Sequence, residues 1–172
     1  MQSKFKFLFL GLAFFTLVTS CGNRYDLKPG SSVTVTNTFQ SDAFTNGEEQ
    51  TIEDLFQVPA GSLAATANVG DAVEFSAYLL GLYDIDIDDS SIRFEVVAQE
   101  GDPTYGDLFR VLEANTVDRY YLTFNNDQRV KDATSSNESV NLRIDSDKVL
   151  VVEIGEGYDF KPGQSFTITL ND

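Results

Sequence analysis

The chain has 172 residues, 27 of them acidic and 12 basic, for a formal net charge of −15; it holds no histidine, no tryptophan and one cysteine. That acidity disfavours nucleic acid, whose phosphates need basic patches, and without an imidazole neither Ser-His-Asp nor Cys-His catalysis can be assembled. Zinc sites and intrachain disulfides are excluded on the same composition, which leaves paired carboxylates or hard cations on oxygen ligands.

Lys4 and Lys6 open the chain with positive charge, and residues 7–18 then run almost without a polar group. As a helix these residues span about 18 Å. A bilayer's hydrocarbon core is about 30 Å thick. The run is therefore short for a membrane span and suits the apolar region of a signal peptide. Val18, Thr19, Ser20 and Cys21 follow directly. This tetrad resembles the lipobox of bacterial lipoproteins: a branched apolar residue, two small ones, then Cys.

The resemblance covers residues 1–21. It implies a signal peptide over residues 1–20, acylation of Cys21, a lipidated tether over residues 21–28 and one domain over residues 29–172. By the same resemblance the partner of Cys21 is a lipid bilayer in a bacterial cell envelope. Gly22 in place of Asp after the Cys resembles outer-membrane sorting. Whether the domain faces the periplasm or the surface stays open. The alternative is a secretory leader with an incidental Cys. Without the two lysines of the leader, 10 basic residues face 27 acidic ones, a net charge of −17.

Beyond the leader the pattern is all-β. Val33 to Thr36 alternates with period two, as a half-buried strand does. Residues 51–56 instead place Ile52, Leu55 and Phe56 at helical spacing, with Thr51 and Asp54 as a capping pair. Val73, Phe75 and Ala77 fall on one face of the next strand. Asp84, Asp86 and Asp88 alternate with Ile85 and Ile87, and Ile92, Phe94 and Val96 point inward in the strand after it. Residues 108–113 fit either a helical turn or a strand. Tyr120, Leu122 and Phe124 oppose Tyr121 and Thr123. Residues 132–139 read as an exposed loop. Strands over 140–144 and 148–154 flank Asp145, Ser146 and Asp147 as a tight hairpin. Phe166, Ile168 and Leu170 line the last strand. Turn residues separate these runs, among them Asn46-Gly47 and Pro162-Gly163. Short strands at this spacing predict a single antiparallel β-sandwich, with a β-barrel as the alternative.

One pattern occurs twice. Residues 25–37 read YDLKPGSSVTVTN and residues 158–170 read YDFKPGQSFTITL, identical at eight of thirteen positions. Either a unit is duplicated, or two strands begin through equivalent Pro-Gly turns. Gly70-Asp71-Ala72-Val73-Glu74-Phe75 resembles the start of a strand in bacterial immunoglobulin-like modules, and residues 162–169 resemble their closing strand. That resemblance implies a sandwich and no particular activity.

The one acidic constellation is Asp84, Asp86, Asp88 and Asp89. On a strand the first three carboxylates share a face, about 6.6 Å from one to the next. Such a row is either solvated or bridged by a cation, and Ca²⁺, with six to eight oxygen ligands, is the ion that would suit it. No other cofactor is implied. Tyr105, Tyr120 and Tyr121 form either a sugar-stacking platform or core and surface packing. The expected function is a non-enzymatic binding or scaffolding domain on a lipid anchor. The alternative is a carboxylate-dependent glycan-active enzyme, which requires two acids at catalytic separation in a cleft.

Overall fold

The computed structural model describes residues 27–28, 30–70, 73–99, 116–125, 129–155, 157–158 and 160–171. Residues 108–113, read from sequence as helix or strand, and Tyr105 lie outside them. Two antiparallel sheets pack face to face as a sandwich, and they do not close into a barrel. The chain runs β1 (Ser32–Ser41), α1 (Asp42–Thr45), β2 (Glu49–Thr51), α2 (Ile52–Phe56), β3 (Ala65–Asn68), β4 (Phe75–Ala77), α3 (Tyr78–Gly81), β5 (Tyr83–Ile87), β6 (Ser91–Val96), β7 (Thr116–Phe124), β8 (Asp132–Ser135), β9 (Val140–Ser146), β10 (Val149–Ile154) and β11 (Ser165–Asn171). The first sheet has the order β2-β1-β7-β10-β9, with β3 also on β1. The second has the order β4-β5-β6-β11-β8.

β1 pairs along both of its edges. Nine residue pairs join it to β7, from Val33 opposite Phe124 to Ser41 opposite Thr116. On the other edge β3 takes Ser32 to Val35 and β2 takes Thr38 to Gln40. Thr36 and Asn37 fall between those two partners. The strand alternates threonine with larger apolar residues, so Val33, Val35 and Phe39 are buried while Thr34, Thr36 and Thr38 face outward.

Inward residues of both sheets form one core. Its centre is a chain of rings: Tyr120 meets Tyr83 edge-on at 5.5 Å and Phe94 at 5.3 Å, and Phe94 stacks on Phe166 at 4.9 Å. Each such contact adds about 0.5–1.5 kcal/mol beyond the burial of its area. Tyr120 comes from one sheet and its partners from the other, so these contacts fasten the two layers together.

The two similar sequence segments enter their strands through equivalent turns. Ser31 N–H donates to Lys28 O, and Gln164 N–H to Lys161 O, both at 2.9 Å. Gly30 and Gly163 sit at φ 84° and 79°. With proline before each glycine in the sequence this is a type II turn, which requires positive φ at its third residue. Each turn also brackets one valine: Val69 bonds Gly30 and Ser31, and Val96 bonds Gly163 and Gln164. The first turn leads into β1 of one sheet and the second into β11 of the other.

Several boundaries differ from the sequence reading. The strand expected from Val73 starts only at Phe75, and Val73 is exposed. Ala77 leaves the strand at φ 52° and the chain turns into α3, so only Phe75 of the expected trio is buried. The expected loop at residues 132–139 holds β8, a polar edge strand with no apolar run to reveal it. Residues 52–56 form the helical turn α2. Thr51 caps it by accepting from Asp54 N–H at 3.1 Å, and its hydroxyl donates to the Asp54 carboxylate at 2.8 Å.

Because Gly163 needs positive φ, Gly163→Ala is expected to lower stability by about 1 kcal/mol. Urea unfolding followed by circular dichroism measures this, with Ser165→Ala as the neutral control.

Candidate functional site

Asp84 and Asp86 of the acidic row share a strand face, whereas Asp88 falls beyond the end of β5. Ile85 and Ile87 are fully buried on the inner face of β5, while Asp84 and Asp86 lie on its outer face. Their surroundings are those of a sheet surface. Asp84 accepts from Ala77 N–H at 2.7 Å. Arg93 of β6 stands opposite Asp86 and is paired with Glu95 at 2.8 Å. Asp88 and Asp89 are exposed in the β5–β6 turn, where Asp88 N–H bonds Ser91 O. Among the described residues no three acidic side chains come together in a group able to hold a metal ion. The spacing along one extended strand keeps the carboxylates apart, and an arginine stands across the ladder. Cys21 lies outside the described residues.

Tyr120 and Tyr121 divide between the two faces of β7. Tyr120 is fully buried, and Tyr121 is partly exposed and donates to Glu49 at 2.6 Å. Glu49 also accepts from Thr38 at 2.5 Å, and these two hydrogen bonds, with Arg119 nearby, hold its carboxyl below the usual range. Arg119 bonds Glu153 at 2.8 Å and Gln40 at 3.1 Å and lies 3.5 Å from Glu49. This outer face is a solvated polar mesh across β2, β1, β7 and β10.

A second acidic feature was not singled out from sequence. Asp118 of β7 points inward and is 1% exposed. Asn37 Nδ2 donates to Asp118 Oδ1 at 2.5 Å and to the Arg119 carbonyl at 3.1 Å. Tyr120 O–H donates to Asp118 Oδ2 at 2.6 Å. Burial pushes the Asp118 carboxyl up to about 6, and the hydrogen bonds from Tyr120 and Asn37 oppose that rise. Tyr83 and Tyr120 are raised well above the ordinary phenol range, first by burial and then by the Asp118 charge. The signal in the sequence was the interruption of an apolar face: Asn37 between Val35 and Phe39, and Asp118 two residues before Tyr120.

A pocket of about 180 Å³ opens at the edge of β1 beside this group. Thr36, Asn37 and Thr38 form its floor, in the stretch that neither β2 nor β3 fully covers. Thr51, Ile52 and Glu53 wall one side; Gly61, Leu63 and Ala64 wall the other. Glu53 fixes the two walls to each other, because its Oε1 accepts from Leu63 N–H at 2.7 Å. Asn37 is 7% exposed, and its Oδ1 is buried without a hydrogen-bond partner. Among the described residues that line the pocket the one carboxylate is that of Glu53, where glycoside hydrolysis uses a pair.

Compared with protein-family models, curated proteins and solved structures, the chain matches none.

The raised Asp118 carboxyl makes stability depend on pH. Its ordinary value is 3.8 and its folded value about 6, so between these the folded state holds a proton that the unfolded chain has released. Stability from this group is therefore present at low pH and is lost as pH rises through about 6. In Asp118→Asn that loss is absent. The stability difference, variant minus wild type, is expected to grow by roughly 2 kcal/mol between pH 4 and pH 7. Urea titrations across that range check it, and a difference constant with pH refutes it.

Proposed function

We propose that this protein is a lipid-anchored cell-envelope lipoprotein whose β-sandwich binds or scaffolds a partner close to the bilayer, without catalysis of its own. The order of Lys4, Lys6, the apolar run 7–18 and the Val18 to Cys21 tetrad carries the reading. A diacyl or triacyl group on Cys21 makes attachment durable, since each buried CH₂ contributes about 0.8 kcal/mol and one chain alone binds only marginally.

The fold is compatible with a close anchor. Leu27 is fully buried and its N–H bonds Asp89 O at 2.5 Å, so the chain is docked six residues after Cys21. Six residues reach roughly 20 Å when fully extended. Among the described residues no helix is long and apolar enough to cross a membrane. The β5–β6 turn, with Asp88 and Asp89 exposed, sits at the anchored end. Acidic side chains there are repelled by anionic headgroups, which favours a domain held at the surface by its lipid and not lying on it. β1 leads away from that turn, so its far end and the helices α1 and α2 are presented outward.

Metabolic labelling with an alkynyl palmitate tests the anchor. The wild type is expected to take up label and to sediment with membranes, and Cys21→Ser to lose the label and remain as an uncleaved precursor. A wild-type protein released without label would overturn the reading.

A further inference from the structure

The buried acid and the gap at the edge of β1 meet at one side chain. Asn37 bonds Asp118 through Nδ2 and also lines the pocket between β2 and β3. Asp118 is 1% exposed and Asn37 7%. Asn37 Oδ1 is closed to solvent, so the amide seals the acid from the pocket.

This seal is held from one side. Asn125 N–H bonds Ser32 O, so even-numbered residues of β1 bond β7 and odd-numbered ones turn their main-chain groups to the other edge. On that edge β3 reaches Val35 and β2 begins at Thr38, so neither takes the main chain of Asn37. Its side-chain bonds to Asp118 and to the Arg119 carbonyl hold it in place.

The acid gives this seal something to respond to. Burial outweighs the two hydrogen bonds to Asp118 and moves its carboxyl from 3.8 to about 6. The titratable groups that face it are the phenols of Tyr120 on β7, Tyr83 on β5 and Tyr78 on α3. All three are raised above the ordinary phenol range and stay uncharged between pH 4 and pH 7. Glu53 of α2 acts on Tyr78, and Arg119 turns to the outer face of β7 to pair with Glu153. Among the described residues no cation is set against Asp118, so its ionised form gains from contact with water.

We propose that the gap between β2 and β3 is a pH-gated water entrance to the core, with Asn37 as the gate: it opens more often once Asp118 has ionised and closes as Asp118 is protonated. The device is separate from partner binding and independent of the lipid on Cys21. In the open state a solvated Asp118 has its ordinary proton affinity. Between pH 3.8 and about 6 the open state has lost a proton that the closed state keeps, so opening grows with pH there and levels off above. From pH 4 to pH 7 the open fraction is expected to rise on the order of fiftyfold.

Exchange of the two Asn37 Nδ2 protons with water, followed by NMR on the full lipidated protein in nanodiscs, reads the gate. Rates are corrected for the intrinsic pH dependence of a free primary amide and measured with and without urea below the unfolding transition. The corrected rate is expected to rise on the order of fiftyfold from pH 4 to pH 7 and to be insensitive to urea, because a local opening exposes little surface. The main-chain amide of Val152, fully buried in the middle of β10, serves as the globally protected reference. Asp118→Asn is expected to abolish the rise, and Leu63→Phe, which fills the pocket from its wall, to slow the exchange severalfold. A corrected rate that is flat with pH, a urea dependence equal to that of Val152, a rise that survives in Asp118→Asn, or exchange as fast as wild type in folded Leu63→Phe would overturn the proposal. The pH and urea comparisons use unmutated protein, so they decide the matter even where a variant fails to fold.

Discussion

The nine-pair register between β1 and β7 is the constraint on which the rest depends. Side chains alternate along a strand with period two, so a slip of one residue would turn the whole inward set outward. The register sets Asn37 opposite Tyr120, and Asp118 lies two residues along the same face. From those positions the amide and the phenol both reach the carboxylate. The same alignment brings Tyr120 against Tyr83 and Phe94 of the second sheet. One pairing thus fixes the polar group in the core and the ring contacts that join the layers. It also leaves the opposite edge of β1 to be shared by β3 and β2, and the interval between them becomes the pocket.

Much of this was legible from residue order. Alternation in residues 33–36, 92–96, 120–124, 140–144 and 166–170 marked strands that the fold contains, and Asp84 and Asp86 lie on the outer face of one. The capping pair Thr51 and Asp54 marked α2, because the cap is a local bond that needs no tertiary partner. What stayed hidden was set at long range. β8 is a polar edge strand held by pairing with β11, and nothing in its four residues declares that. Ala77 adopts a left-handed conformation that alanine does not prefer, imposed by the turn into α3. Of the candidate site, Asp118 shows in the sequence only as a polar residue at an apolar position. Its partner Asn37 is 81 residues away, a separation that only the β1–β7 register closes.

A buried carboxylate flanked by tyrosines is a poor device for stability alone. Its desolvation is offset only in part by two hydrogen bonds, as the upward shift of its proton affinity shows. An apolar side chain at position 118 would avoid that penalty. What the acid does accomplish is orientation: it holds the Asn37 amide nitrogen toward β7. The acidic outer surface is arranged differently. Among the described residues its carboxylates are spread along strands, with Arg93 paired to Glu95 and Arg119 to Glu153.

The docking of Leu27 just ahead of β1 also has a mechanical side. A lipid on Cys21 would pull on the domain first at Leu27, which is bonded to Asp89 O, and reach β1 only through the turn from Lys28 to Ser31. That strand is bonded to β7 on one edge and to β3 and β2 on the other. Drawing out β1 would therefore mean breaking the ladders on both of its edges.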